Sequence, residues 1–439
     1  MSSASSPRLR PLGLRSRWDE GVALDDPFEL SPECPLGGPK LPREMWAIAR
    51  RLTGEQDATG IARQLTAEFG RPVEVAEVES VVAHLERALL LDNQDFREAR
   101  ERAFQSFRKE PQRPSYGAGS EYPDDPFELR LRIGGLVADD WDMPPLPHAQ
   151  GLIAPDAPIA RAAQLYTRSY AAVRHARGHA ARVVLLCNVG ARLEAPLIPL
   201  AKPFATPLGE VPTDGEALAA LGQLPGLDQL AHRSSKALER QALFVRLLFP
   251  DTPVLALLVS DLPGLLQEEG AAEDLERVEA SSDALARLDD LEGPTLMICA
   301  APLYREGPLG NQAPASEQPT ADSSQPPTSE AAPGEPRPPH QGFGAGTLLG
   351  GSHGGRIRSG DRSAIDALTQ VDSEAFLQVL REEDDPLRNR WAAAPLLMLR
   401  WLEERFSLKD GTPVKGSTLG YAPQLAPGEL STAASIVFH

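Results

Sequence analysis

FATPLGEVPTDGEALAALGQLPGLDQLAHRSSKALERQ, residues 204–241, decides how the rest of the chain is read. It opens on a proline-punctuated turn, continues with an amphipathic helix pattern, and ends in a second helix that opens on His232. Apolar runs bounded by turn residues flank it on both sides, at Val183 to Cys187 and at Pro253 to Ser260. Continuous apolar runs of this length are strands covered on both faces, so the stretch lies in the middle of an α/β core.

Outward from that centre the same alternation recurs. Gly151 to Ala154 and Pro294 to Ala300 read as further strands, and Pro158 to His175 as a helix. Near the end, Ser363 to Arg381 and Leu387 to Phe406 read as helices, with Leu396, Leu397, Leu399 and Leu402 as core candidates. A last strand, Ala434 to Phe438, should complete the sheet. Strands separated by helical patterns imply an α/β fold of three layers.

Before this region the period changes. Leu12 to Leu30 alternates as a short hairpin does, and three helical patterns follow. The first places Met45, Ile48, Ala49 and Leu52 on one face before Gly54. The second runs from Thr59 to Phe69 and stops at Gly70, and the third spans Val75 to Leu91. Asp95 to Lys109 is a charged helix with Phe96, Ala103, Phe104 and Phe107 as its apolar stripe, a connector that docks on a neighbour.

The expected segmentation is therefore a disordered 1–7, a small helical domain at 8–95, a connecting helix at 96–115, and an α/β domain in two parts, 116–308 and 362–439. Between those parts, 309–361 is rich in Pro, Ser, Gly, Gln and Glu and is expected to be a disordered insertion. The GFGAG within it (Gly342 to Gly346) follows no strand and opens no helix, which makes it linker rather than phosphate loop.

The 439 residues carry 44 Lys plus Arg against 62 Asp plus Glu, a formal net charge of -18 that repels phosphate backbones and anionic lipid surfaces. Nucleic acid and membrane are not expected partners. Cys34, Cys187 and Cys299 are scattered without CxxC pairing, which signals neither a disulfide framework nor a structural zinc site. The basic N-terminus leads into no apolar run, and Ala242 to Leu262 is broken by Arg246, Pro250, Asp251 and Pro253. A reducing, cytoplasmic location is expected.

LxxxxWAIARRLTGEQDATGIARQLTAEFG followed by VVAHLERALLLDN resembles the winged-helix-like peptide-recognition domains of the pyrroloquinoline-quinone D type. That resemblance implies a peptide or protein partner for residues 8–95. FATPLGEVPTD followed by AHRSSKALERQALFVRLLFP resembles the Memo family, in particular protein B of the AmmeMemoRadiSam system, as does YPDDPFEL (Tyr122 to Leu129). This second resemblance implies an α/β domain related to class III extradiol dioxygenases, with a mononuclear iron or copper site held by two histidines and a cysteine.

At the positions where the family has those ligands, this sequence has others. Asp156 stands for the first histidine, Gly190 for the second, and Trp391 or Ala392 for the cysteine. Ser235 and Lys236 replace a glutamate and a histidine, Pro302 and Arg305 an aspartate and a histidine, while His232, Glu239 and Gln241 match. Glycine offers no ligand atom, and a lysine charge opposes a metal's. No cofactor is expected, and the leading expectation is a non-catalytic Memo-like protein that acts as a binding or scaffold module.

The alternative is an oxidoreductase with a relocated metal site built from Asp156, His232 and Cys187. Its donors would converge on one point. His232 and Glu239 are candidates for a base and its orienting carboxylate, although seven residues apart on one helix they share a face without a hydrogen bond. His175 and His179 have the i, i+4 spacing of ligand pairs, but Gly178 marks a helix end and the reading there is two exposed loop histidines. Cys187 reads as a small apolar core residue.

Overall fold

A computed structural model describes residues 6–18, 21–32, 38–138, 146–222, 226–266, 271–306, 352–383, 391–408, 414–426 and 429–439. In the N-terminal part, strands β1 (Gly13–Trp18), β2 (Gly21–Asp25) and β3 (Lys40–Pro42) form an antiparallel sheet in that order. The hairpin reading is met, and a third, very short strand joins it. Helices α1 (Arg43–Ala49), α2 (Ala58–Phe69) and α3 (Val75–Arg87) pack on the sheet through Ile48, Ile61, Leu65, Val78 and Leu85. Gly70 ends α2 in the left-handed region at φ 64°, where glycine pays no Cβ penalty. α3 stops four residues short of the expected Leu91, because Leu89 takes a left-handed φ of 55° and turns the chain.

A buried ion pair ties this part together. Arg10 donates to both carboxylate oxygens of Asp26, at 2.8 and 2.6 Å, and through Nε to the Leu89 carbonyl at 2.6 Å. Asp26 also accepts the backbone N–H groups of Phe28, Leu30 and Ser31. Helix α4 (Gln94–Lys109) then docks on the next part as expected, burying Phe96 and Phe107 and placing Arg100 2.5 Å from Asp228.

The larger part contains α5 (Pro126–Ala138), β4 (Gly151–Ala154), α6 (Ala163–Val173), β5 (Arg182–Asn188), β6 (Leu197–Pro199), α7 (Gly215–Leu221), α8 (Lys236–Leu248), β7 (Val254–Val259), α9 (Ala271–Ala286), β8 (Thr295–Ala300) and β9 (Tyr304–Glu306). It closes with α10 (Ser352–Gln370), α11 (Ser373–Glu383), α12 (Ala393–Leu408), β10 (Gly416–Ala426) and β11 (Glu429–Phe438). The strands make one eight-stranded sheet in the order β10-β11-β4-β8-β5-β7-β6, with β9 paired to β11. β4, β8, β5 and β7 run parallel, and the remaining pairings are antiparallel.

Both faces of the central strands are buried, which is why they read as unbroken apolar runs. Val183, Leu185 and Cys187 of β5 point into the core shared with α6 and α8; Val184 and Leu186 point into the core shared with α12. The three-layer α/β expectation holds. Where β4 starts, Gly151 leaves room for a neighbour: a Cβ there would lie 2.3 Å from Met398 Cε.

Several expectations need correction. Among the described residues the helix read from Leu387 begins at Ala393. α6 starts at Ala163 rather than Pro158. β10 was not foreseen: its Gly416, Gly420 and Pro423 hide the strand pattern. The helix expected from Ser363 starts at Ser352, inside the stretch assigned no structure, and it breaks at Val371 (φ 54°) before Asp372 caps the Ala375 N–H at 2.8 Å. The expected disorder at 1–5 and 309–351, GFGAG and Cys34 lie outside the described residues. Among the described residues no helix is long and apolar enough to cross a membrane.

Candidate functional site

The residues that follow β4 and β5 lie at the carboxyl ends of parallel strands, where α/β folds commonly hold their ligands. Thr206 to Asp214 builds the turn that leads into α7. The Thr206 hydroxyl donates to the Gly209 carbonyl at 2.6 Å, and Asp214 caps α7 through the Ala217 N–H while accepting Arg182 Nε at 3.1 Å. Beyond it, the expected single helix from His232 is two segments. Gly226–Ser234 is 3-10, and α8 begins at Lys236 with Ser235 as its cap.

Asp156, two residues past β4, is buried and accepts Arg240 Nη1 at 2.8 Å. Arg240, from α8, also donates through Nε to Glu121 at 3.0 Å, and Lys236 Nζ lies 3.2 Å from the same carboxylate. Burial alone lowers the tendency of Arg240 to stay charged, but Glu121 and Asp156 reverse this and raise its pKa. Burial likewise raises the Glu121 carboxyl, and the Arg240 and Lys236 charges outweigh it and hold it below its ordinary range. A permanent guanidinium thus sits on Asp156, the carboxylate that the sequence reading set in place of the first histidine.

Gly190 turns the chain after β5 at φ 73°, a conformation that residues with side chains rarely adopt. Trp391 is buried on the opposite face of the sheet, before α12. Asn188, at the end of β5, fixes it there by donating to the Trp391 carbonyl at 2.7 Å and accepting the Ala394 N–H at 3.0 Å. The void beside Trp391 is apolar, about 20 Å³, and walled by Ile153, Ala301 and Leu303, room for no more than a water. Ala392 is buried in the same core. Pro302 borders this void.

His232 and Glu239 belong to a second cluster, organised by Arg113. This arginine is fully buried and donates Nε to the His232 carbonyl (2.9 Å), Nη2 to the Ser235 carbonyl (3.0 Å), and Nη1 to the Pro114 carbonyl (3.0 Å) and to Glu239. Glu239 also accepts the N–H of Tyr116 (2.9 Å), the N–H of Gly117 (2.7 Å) and the Tyr122 hydroxyl. Burial would raise the Glu239 carboxyl, but the Arg113 charge and these donors keep it below the ordinary value. A carboxylate so committed is a structural anion rather than a poised base.

The His232 ring faces elsewhere. Its Nε2 is 2.8 Å from the Ile198 carbonyl, which can only accept, so Nε2 carries the proton and Nδ1 is bare; Nδ1 is buried without a partner among the described residues. Burial, with Arg113 adding repulsion, pushes the His232 pKa down to about 3. In the unfolded chain a histidine titrates near pH 6.5. The folded state therefore binds fewer protons below that pH, and His232 contributes stability that is lost as the pH falls from about 6.5 towards 3. Between pH 7 and 5.5 the loss from this group is about 1 kcal/mol. Chemical denaturation at the two pH values should show it, and a His232→Gln variant should show a smaller difference.

The other candidates do not assemble. Asp156 bonds Arg240, His232 bonds Ile198, and the Cys187 thiol bonds the Asn188 carbonyl at 3.3 Å, three separate partners. Cys187 is core, as read from the sequence. His175 and His179 are exposed, and His179 meets His148 rather than His175. Among the described residues, no three His, Cys, Asp or Glu side chains are grouped to hold a metal ion.

Arg113 and Arg240, which organise the two clusters, are not among the sequence-read candidates. Arg113 lies in a loop with nothing local to mark it. Arg240 carried a signal: its helix neighbours three and four residues away are Lys236, Ala237, Leu243 and Phe244, so its acid had to come from elsewhere in the chain.

A further cleft, of about 840 Å³, opens in the N-terminal part between Val22, Trp46 and Phe69. Glu68 on its wall is held by Arg50 and Arg51, which leaves Arg43 and Arg71 on the rim against Glu44.

Residues 113–286 match the family model of the Memo-like protein. A MEMO1 family protein of Aquifex aeolicus (strain VF5) is 25% identical over 260 residues, 57% of this chain and 64% of that protein. The chain thus spans just under two thirds of that relative's length.

Proposed function

From the premise that residues 113–286 form a Memo-like domain, we propose that the domain serves as a non-catalytic scaffold and that the metal chemistry expected of the family is absent from it. One observation carries this reading: the guanidinium of Arg240 lies 2.8 Å from Asp156 Oδ1. An iron, copper or zinc ion would have to displace a buried cation bound to two carboxylates, and would find a glycine at 190 in place of a further donor, with Trp391 across the sheet. The residues present do not fit the metal.

The binding face in this reading lies outside that domain, in the N-terminal cleft beside Trp46 and Phe69. Trp46 and Phe69, with Arg43 and Arg71 beside them, suit an acidic peptide bearing an aromatic or aliphatic anchor. A thermal-shift screen of the full chain tests both halves. Fe²⁺, Cu²⁺ and Zn²⁺ should leave Tm within about 1 °C, whereas acidic aromatic peptides should raise it in the parent and not in Trp46→Ala. A metal-specific rise, with no peptide response, would contradict the reading.

A further inference from the structure

At the opposite pole of the sheet from Asp156, a cleft of about 250 Å³ opens at the amino-terminal ends of β4 and β8. Its polar side chains are His148 and Gln150 before β4, His179 after α6, Thr295 at the start of β8, and Arg405 from α12. Pro147 and Pro294 are among its apolar walls. The imidazoles of His148 and His179 meet edge to face with centroids 5.4 Å apart. Thr295 is 3% exposed, and its hydroxyl is buried without a partner among the described residues.

We propose that this cleft is a binding site for a small oxyanion of the phosphate class. A buried hydroxyl left unpaired is costly unless something in the cleft completes it, so Thr295 points to an occupant that forms hydrogen bonds. The sign of that occupant follows from the lining. No acidic side chain lines the cleft among the described residues, although acids outnumber bases by 62 to 44 in the whole chain. Arg405 brings a permanent charge; one of its nitrogens is 2.5 Å from Asp289, and the guanidinium stacks 4.6 Å from the Trp401 ring, a fixed fork with further N–H donors to offer. A cation would meet that guanidinium. An oxyanion instead gains the Arg405 and Thr295 donors and an N–H from each imidazole.

The test uses the full chain in phosphate-free, metal-free buffer, titrated calorimetrically with inorganic phosphate and, separately, with glycerol phosphate. Saturable binding with Kd on the order of 1 mM is expected for at least one of them. Binding of both identifies a free-phosphate site; binding of the ester alone identifies a phosphorylated small molecule. His148→Ala/His179→Ala, at two exposed positions, should abolish the heat. Thr295→Val should weaken binding at least about fivefold while leaving Tm of the unliganded protein unchanged or higher, since an unpaired hydroxyl is removed. The proposal is overturned if neither anion binds saturably, if the double variant binds as the parent does, or if Zn²⁺ rather than phosphate titrates the histidine pair.

Discussion

Replacing Arg113 by Met should cost the fold about 3–5 kcal/mol, the largest loss expected from a single side chain in this protein. The reason is the imbalance it leaves. Glu239 would keep a buried charge, with a side chain only 2% exposed, and lose the cation that holds it. The carbonyls of Pro114, His232 and Ser235 would lose their donor together. Glu239→Gln leaves the Arg113 cation without its anion but still bonded to three carbonyls, and keeps an acceptor for the Tyr116 and Gly117 N–H groups, so it should cost less, about 1.5–3 kcal/mol.

The pH dependence separates the two. Without Arg113, burial raises the Glu239 pKa above its unfolded value, so the Arg113→Met fold is favoured by protonation, and its deficit should narrow from pH 7 to pH 5. Urea denaturation at both pH values measures this. A deficit independent of pH would mean that packing, not the buried charge, sets the cost.

Arg240→Met is expected to cost about 3 kcal/mol, because it removes the one guanidinium described as bonding both Asp156 and Glu121, each of them buried or nearly so. Lysine cannot substitute. A single ammonium lacks the fork that contacts Asp156 and Glu121 at once, and Arg240→Lys should recover less than half of the loss. Were Arg240→Met to be as stable as the parent, the Asp156–Arg240–Glu121 chain would be incidental rather than the feature that holds this end of the sheet.

Much of the architecture was legible because its physics is local. β4, β5, β7 and β8 are buried on both faces, and their apolar runs say so directly. α2 announced its own end at Gly70. β10 was not legible, since Gly416, Gly420 and Pro423 break the alternation and the strand is held by its long pairing with β11. Nor was the start of α10, where Ser352, His353, Gly354 and Gly355 are poor helix formers.

The site divides in the same way. The expectation that Asp156, Gly190 and Trp391 or Ala392 stand in place of other residues comes from the sequence alone. What fills the space could not, because Arg113 and Glu239 are 126 residues apart and Asp156 and Arg240 are 84 apart. Partner choice at such separation is set by the sheet and by the layer of helices above it.

The metal content of protein purified without chelators bears most directly on whether Arg240 has replaced a metal at this end of the sheet. Iron, copper and zinc should each be well below one equivalent per chain, with no change on substituting Asp156→Ala. A full equivalent of any of the three that disappears in Asp156→Ala would show that Asp156 is a ligand after all, and that the Arg240 pairing gives way to a working metal site.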